Sequence, residues 1–216
     1  PPKKSPSIPG ETRRILRSSL RPGFRNPPVR WLMLAAPFSA GVGIYAFYAM
    51  QPYLLELYGR SGSYAVAGLA AAIVAATQIV GGAIVPYAGR VFRSRTMLLL
   101  AGSVTSAAAL ALIGLAPNFV MVLALMGVWA VVFAGTMPIR LAFINDLIPS
   151  EERATVLSSY NLVGSSGGVI VQPALGRAAD AWGYSTSYLI GAGVTLLGLP
   201  FIMLARRERA HSDPMQ

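Results

Sequence analysis

Cysteine is absent from the 216 residues, and histidine occurs once, at position 211. The first absence excludes a disulfide framework and a thiolate metal site. Charge is scarce as well. Asp, Glu, Lys and Arg make up 12% of the chain, against about 25% in an ordinary soluble domain. None of these residues sits at the centre of a long apolar run. Hydrophobic residues make up 54%, and the charges gather between the runs, as in a polytopic membrane protein. The net charge of +10 raises nucleic acid as a partner. The basic residues form no single face, however. They stand at the ends of apolar runs, so no nucleic acid is expected. No metal-ligand cluster or phosphate-binding loop is present, and no cofactor is expected.

A membrane-crossing helix needs roughly 20 apolar residues. Six runs qualify, at about 31–57, 64–87, 96–115, 119–143, 154–179 and 186–205. Residues 1–30 are polar and rich in Pro, Ser and Arg, with no apolar core of signal-peptide type. They are expected to be a disordered basic cytoplasmic linker, and 206–216 a cytoplasmic tail. Pro1 in place of Met suggests a piece of a longer chain. One side of the bilayer carries 16 Lys and Arg residues, including Arg90, Arg93, Arg95, Arg140 and Arg153. The other side carries only Arg60 and Arg177. This split of 16 to 2 makes the first side cytoplasmic and places both ends of the segment there.

The runs repeat. Gly81, Pro86, Gly89 and Arg90 recur as Gly168, Pro173, Gly176 and Arg177, all at an offset of 87. The same shift carries the first run onto the fourth and the third onto the sixth. Each repeat has three helices, an odd number, so the second enters the membrane from the opposite side. The expected fold is an all-α membrane protein, six transmembrane helices as two inverted three-helix repeats. Inverted repeats underlie alternating access in secondary transporters and also occur in channels.

Three stretches carry a family resemblance. Met50-Gln51-Pro52-Tyr53-Leu54 closes the first run. Asn145-Asp146-Leu147-Ile148-Pro149-Ser150-Glu151-Glu152-Arg153-Ala154-Thr155 leads into the fifth. Gly176-Arg177-Ala178-Ala179-Asp180-Ala181-Trp182-Gly183 follows it. Across residues 30–209 the sequence resembles the C-terminal half of a major facilitator superfamily transporter. The resemblance implies twelve spans in two halves, of which these six are the seventh to twelfth. The principal partner would be the missing N-terminal half of the same protein. The family's loop motif is degraded here to Gly89-x-x-x-Arg93-Ser94-Arg95 and Gly176-x-x-x-Asp180-x-x-Gly183. Packing, or contact between the halves, is expected of the Asp180 copy. The resemblance also implies a central cavity flanked by the first, second, fourth and fifth spans.

Candidate cavity residues follow from polarity. In the fifth span Ser158, Asn161, Ser165, Gly168 and Gln172 share one helical face. This stripe is unfavourable against lipid, so it either lines a cavity or glues helices, with Gly164 and Gly168 as a close-approach pair. In the fourth span Trp129, Phe133, Thr136 and Arg140 follow one another at steps of four, three and four. The two rings suit an apolar or aromatic solute or else simple packing. Arg140 is expected to snorkel to the cytoplasmic surface or to pair with Asp146; an anionic substrate would reverse that. Tyr45, Tyr48 and Gln51 lie within two turns of the first span, just before Pro52, and Thr77 and Gln78 lie in the second. Glu56 is within helical reach of Arg60 on the outer side.

The chain is therefore expected to be no enzyme but a secondary transporter of a small organic solute, with drug or metabolite efflux ahead of sugar or metabolite uptake. Its partners are the lipid bilayer of the plasma membrane, a small-molecule substrate and, as a candidate coupling ion, the proton. No span holds a central titratable group, so proton coupling would need one in the missing half. A self-sufficient six-helix channel or homodimeric carrier is the alternative of another class. Gly164-Ser165-Ser166-Gly167 matches an intramembrane serine protease motif, but such an enzyme needs a histidine in a later span, and His211 follows the last.

Overall fold

Polar caps between apolar runs define three of the helix starts. The structure, a computed structural model, describes residues 19–59 and 64–215. In chain order the helices are α1 (Pro27–Tyr58), α2 (Tyr64–Val91), α3 (Arg95–Leu115), α4 (Phe119–Leu147), α5 (Arg153–Leu197) and α6 (Leu199–Arg207). Asn26, Ser94 and Asn118 cap α1, α3 and α4, each accepting a backbone N–H from three residues ahead. No strand forms among the described residues; an isolated bridge joins Ser94 to Pro214.

The stretch Arg153–Arg207 covers 55 residues. At 1.5 Å per residue that is about 80 Å of helix, far more than the roughly 30 Å of a hydrocarbon core. It resolves into two arms. On the first, Gly164 faces Ala36 and Ala40, and Gly168 faces Ile44, so this arm runs parallel to α1. On the second, Tyr45 meets Ser187 and Phe38 stacks on Phe201, so the direction is opposite. The reversal falls at Gly183, with φ 82° and ψ 163°, a conformation that a side chain would disfavour. Counting the arms separately gives six crossings among the described residues, as the sequence leads one to expect.

Several boundaries move. α1 starts at Pro27 rather than 31, and residues 19–25 ahead of it are helical. This segment docks on the start of α5 and the end of α4: Ser159 donates to Ser19 O at 2.8 Å, and Asn26 Nδ2 to Leu147 O at 3.0 Å. α4 runs on to Leu147 because Arg153 Nε donates to Asn145 O and Ile148 O and so holds the last turn. Asp180, Ala181 and Trp182, expected in a loop, are helical, since Gly183 alone turns the chain. The final crossing is interrupted at Gly198, before Pro200.

The offset of 87 reappears as contacts. A Cβ on Gly81 would lie 2.6 Å from Val131 O, and one on Gly168 would lie 3.1 Å from Ile44 Cδ1. Position 81 maps to 168 and 44 maps to 131 under that shift. The α2/α4 contact is thus the inverted copy of the α1/α5 contact. Lipid gives helices little hydrophobic reason to associate, so close approach of small residues has to supply it. The tightest approach is on α1/α5. A methyl on Gly167 would overlap the Pro37 carbonyl, and one on Gly41 would sit 2.7 Å from Gly167 O. The sequence pattern singles out Gly164 and Gly168, yet Gly164 meets its neighbours at an ordinary 3.6 Å. A one-residue difference in helical phase decides which glycine touches backbone.

Two apolar clusters close the bundle at opposite ends. One gathers Tyr45, Tyr53, Ile113, Val122 and Tyr188. The other gathers Val29, Leu32, Phe143, Val156 and Ile202 around the start of α1 and the end of α4. The C-terminal tail folds back there. Asp213 accepts from Thr96 N and Thr96 Oγ1, both at 2.8 Å, and its carbonyl accepts from Arg95 N at 2.7 Å. A carboxylate thus sits at the N-terminus of α3, where the helix dipole favours it.

Gly167→Ala should destabilise the purified protein by about 1–3 kcal/mol, read as a fall in Tm in detergent. Gly193→Ala, with nothing within 4 Å of its Cβ position, should leave Tm unchanged or slightly higher. Asp213→Ala should cost about 1 kcal/mol and speed hydrogen exchange at the Thr96 amide, leaving the amides of α2 unaffected.

Candidate functional site

Between the two apolar clusters the helices part around a cavity of about 260 Å³. α1 lines it from Ala36 to Ile44, α4 from Trp129 to Leu141, α5 from Tyr160 to Ser165, and α3 adds Ser103 and Ser106. Trp129 and Phe133, one turn apart on α4, stack with centroids 5.3 Å apart and planes 25° from parallel. Gly43 makes room for them, since a Cβ there would lie 2.6 Å from Phe133 Cε2. Hydroxyls and one amide supply the polar wall: Ser39, Tyr160, Asn161 and Ser165.

Arg140 is the charged group of this wall. It lies seven residues inside the end of α4 at Leu147, about 10 Å along the helix. Its Nη1 donates to Ser39 Oγ at 3.1 Å and to Tyr160 OH at 3.2 Å. This corrects the expected placement of Arg140 with the cytoplasmic loop charges. The guanidinium turns inward across the bundle, because α1 and α5 offer it two hydroxyls. It also has no pair in Asp146, whose carboxylate is taken by Arg95 at 2.6 Å.

Of the other expected cavity residues, Trp129, Phe133, Asn161 and Ser165 come together on this cavity. Tyr45 does not. It is buried against α5 and hydrogen-bonds Ser187, beside Tyr188, whose hydroxyl donates to Ala46 O at 3.0 Å. Tyr48, Gln51 and Gln78 stand on exposed surfaces, and Gln172 is half-buried away from the cavity. Thr77 Oγ1 is turned back onto Val74 O. Ser39, Gly43 and Tyr160 are the contributors that polarity patterns miss. Tyr160 adjoins Asn161 and is one step off the stripe, while Ser39 is isolated on an otherwise apolar face. Ser166 donates to Val163 O at 2.6 Å, and His211 lies beyond α6, so neither serine of the protease-like motif has an imidazole beside it.

The remaining charges lie near the helix ends. The Arg90 guanidinium stacks over the Tyr87 ring at 5.3 Å. Arg93 uses its carbonyl to accept from Met215 N at 3.2 Å. Arg153 clips the end of α4, as described above. Glu56, Arg177 and Asp180 are exposed. Arg60, and with it the expected Glu56–Arg60 pair, lies outside the described residues.

Comparison with known proteins places this geometry. A family model described as Major Facilitator Superfamily matches residues 1–171. The chain is 27% identical over 168 residues to the putative metabolite transport protein YaaU of Escherichia coli (strain K12). That alignment covers 73% of this chain and 36% of YaaU. Among solved structures it is similar to a bacterial homologue of the human lysosomal transporter Spinster, in an inward-facing and unoccupied conformation, with a TM-score of 0.63 and 17% identity. The match covers 96% of this chain and 52% of that one, so the chain spans about half the length of this relative and about a third of YaaU. The all-helical fold, the inverted triplets and the family match together establish that the chain is a multi-pass membrane protein belonging to the Major Facilitator Superfamily.

Proposed function

We propose that these residues are the C-terminal six-helix half of a secondary transporter, which moves a small organic solute across the plasma membrane by alternating access. The observation that carries this is a largely apolar cavity with a few polar groups, held at mid-depth between two inverted triplets. The family consists of transporters rather than enzymes, which agrees with it. A second half is supported by Gln78. It lies near the middle of α2, in a long apolar helix, yet its amide is exposed. Left in hydrocarbon, such a group costs several kcal/mol. A facing six-helix half, or the water-filled cavity between halves, removes that cost. The volume of about 260 Å³ falls just below the range of about 300–1,000 Å³ for ligand pockets, as suits one wall of a shared site.

The stacked rings favour a solute with an apolar or aromatic body, and YaaU's description favours a metabolite. Efflux is the direction proposed. The split of 16 basic residues to 2 supports cytoplasmic ends for the segment. Transport assays on the full-length polytopic protein in proteoliposomes, with a metabolite panel and with or without a pH gradient, test the proposal. Saturable flux is expected from the full-length protein and none from the 216 residues alone. Flux from the isolated segment would instead support a self-sufficient channel or homodimeric carrier. Asn161→Ala should raise KM for the transported solute by about 2- to 10-fold through loss of one hydrogen bond; an unchanged KM would remove Asn161 from the site.

A further inference from the structure

Arg140 is a cation in the wall of a cavity with no anion to balance it. Among the described residues no carboxylate lies within ion-pair distance of it. The nearby cytoplasmic acids are engaged elsewhere: Asp146 by Arg95, and Glu152 by Arg25 at 3.5 Å. A partly buried charge with only neutral partners is costly, and pairing with an anion relieves that cost.

The geometry of the guanidinium narrows what the anion is. Both protein hydrogen bonds leave from Nη1, to Ser39 and Tyr160. Ser39 and Tyr160 come from different helices, so they fix the plane of the fork from two sides. The N–H groups of Nη2 and Nε have no protein acceptor among the described residues, and the side chain is only half-buried. Two adjacent N–H groups in one plane match the two oxygens of a carboxylate or a phosphoryl group. Phe133 lies seven residues back along α4, about 10 Å away along the axis, and Trp129 one turn further. Thr136, Asn161 and Ser165 lie on the same cavity.

We infer that Arg140 is the recognition point for an organic anion, a solute whose carboxylate or phosphoryl head engages Nη2 and Nε while its apolar body reaches the Trp129–Phe133 stack. This rests on the transporter proposal above and assigns the substrate class of that same cavity. Ser39 and Tyr160 are positioning residues, acting through the guanidinium. A carboxylate brought by the facing half is the competing partner for Arg140.

The test uses the full-length protein in proteoliposomes and matched pairs of aromatic solutes: 4-phenylbutyrate against 4-phenylbutyramide, and phenyl phosphate against phenol. Saturable flux, with competition among the solutes, is the readout. Wild type should prefer each anion over its neutral match by roughly 10- to 100-fold, the range for hydrogen bonds to a charged group. Arg140→Gln should abolish that preference while flux of the neutral solutes persists, which also shows that the variant folds. Arg140→Lys keeps the charge without the fork and should retain an intermediate preference. Tyr160→Phe should lower the anion preference, with KM for the carboxylate rising more than KM for the amide. Equal handling of anion and neutral match by wild type overturns the inference. So does a preference unchanged in Arg140→Gln, the result expected if the facing half neutralises Arg140. Saturable flux of neutral solutes only leaves the transporter proposal standing and overturns this one. No saturable flux of any solute overturns both.

Discussion

The contact between α1 and the first arm of α5 holds the rest of the molecule in place. Backbone meets backbone there: Gly167 lies against the Pro37 carbonyl, and Gly41 against Gly167. In a bilayer the surrounding chains are as apolar as leucine, so helices associate through shape and dispersion. Only residues without a Cβ let two helix axes come this near. The same geometry recurs at Gly81 against Val131, inverted, between α2 and α4. The two contacts each join one triplet to the other, and the cavity lies among α1, α3, α4 and α5. A larger residue at either would shift one wall of the cavity along with the helix that carries it.

The segmentation of the fold was legible in the sequence, because a bilayer imposes a length on every apolar run. The repeat was legible as well, from four identities at one offset. Finer features were not. Residues 19–25 look like linker, with two Arg and a Pro-Gly pair, yet they are helical and dock through contacts far away in sequence, such as Ser19 with Ser159. The choice of Gly167 over Gly164 and Gly168 depends on helical phase, which spacing cannot resolve to a single residue.

The site shows the same division. Trp129, Phe133, Asn161 and Ser165 were found because long polar or aromatic side chains on one helical face must point somewhere. Tyr45 has the same character and points elsewhere, into the α1/α5 seam, where Ser187 and the Tyr188 ring await it. Arg140 is the instructive case. Its distance from the end of α4 allows the side chain to snorkel outward or to turn inward. Two hydroxyls on neighbouring helices, Ser39 and Tyr160, decide the matter, and neither is predictable from α4 alone.

Polar ties join the two triplets at both ends of the bundle. Asn26 reaches Leu147, Arg95 reaches Asp146, and Asp213 reaches Thr96. Each joins a residue of the first triplet or its lead-in to one of the second triplet or its tail. At the opposite end tyrosine hydroxyls do the same between α1 and the second arm of α5: Tyr45 with Ser187, Tyr53 with Ser185, and Tyr188 with Ala46 O. The bundle is therefore hooped like a barrel at both rims, with the cavity lying between the hoops.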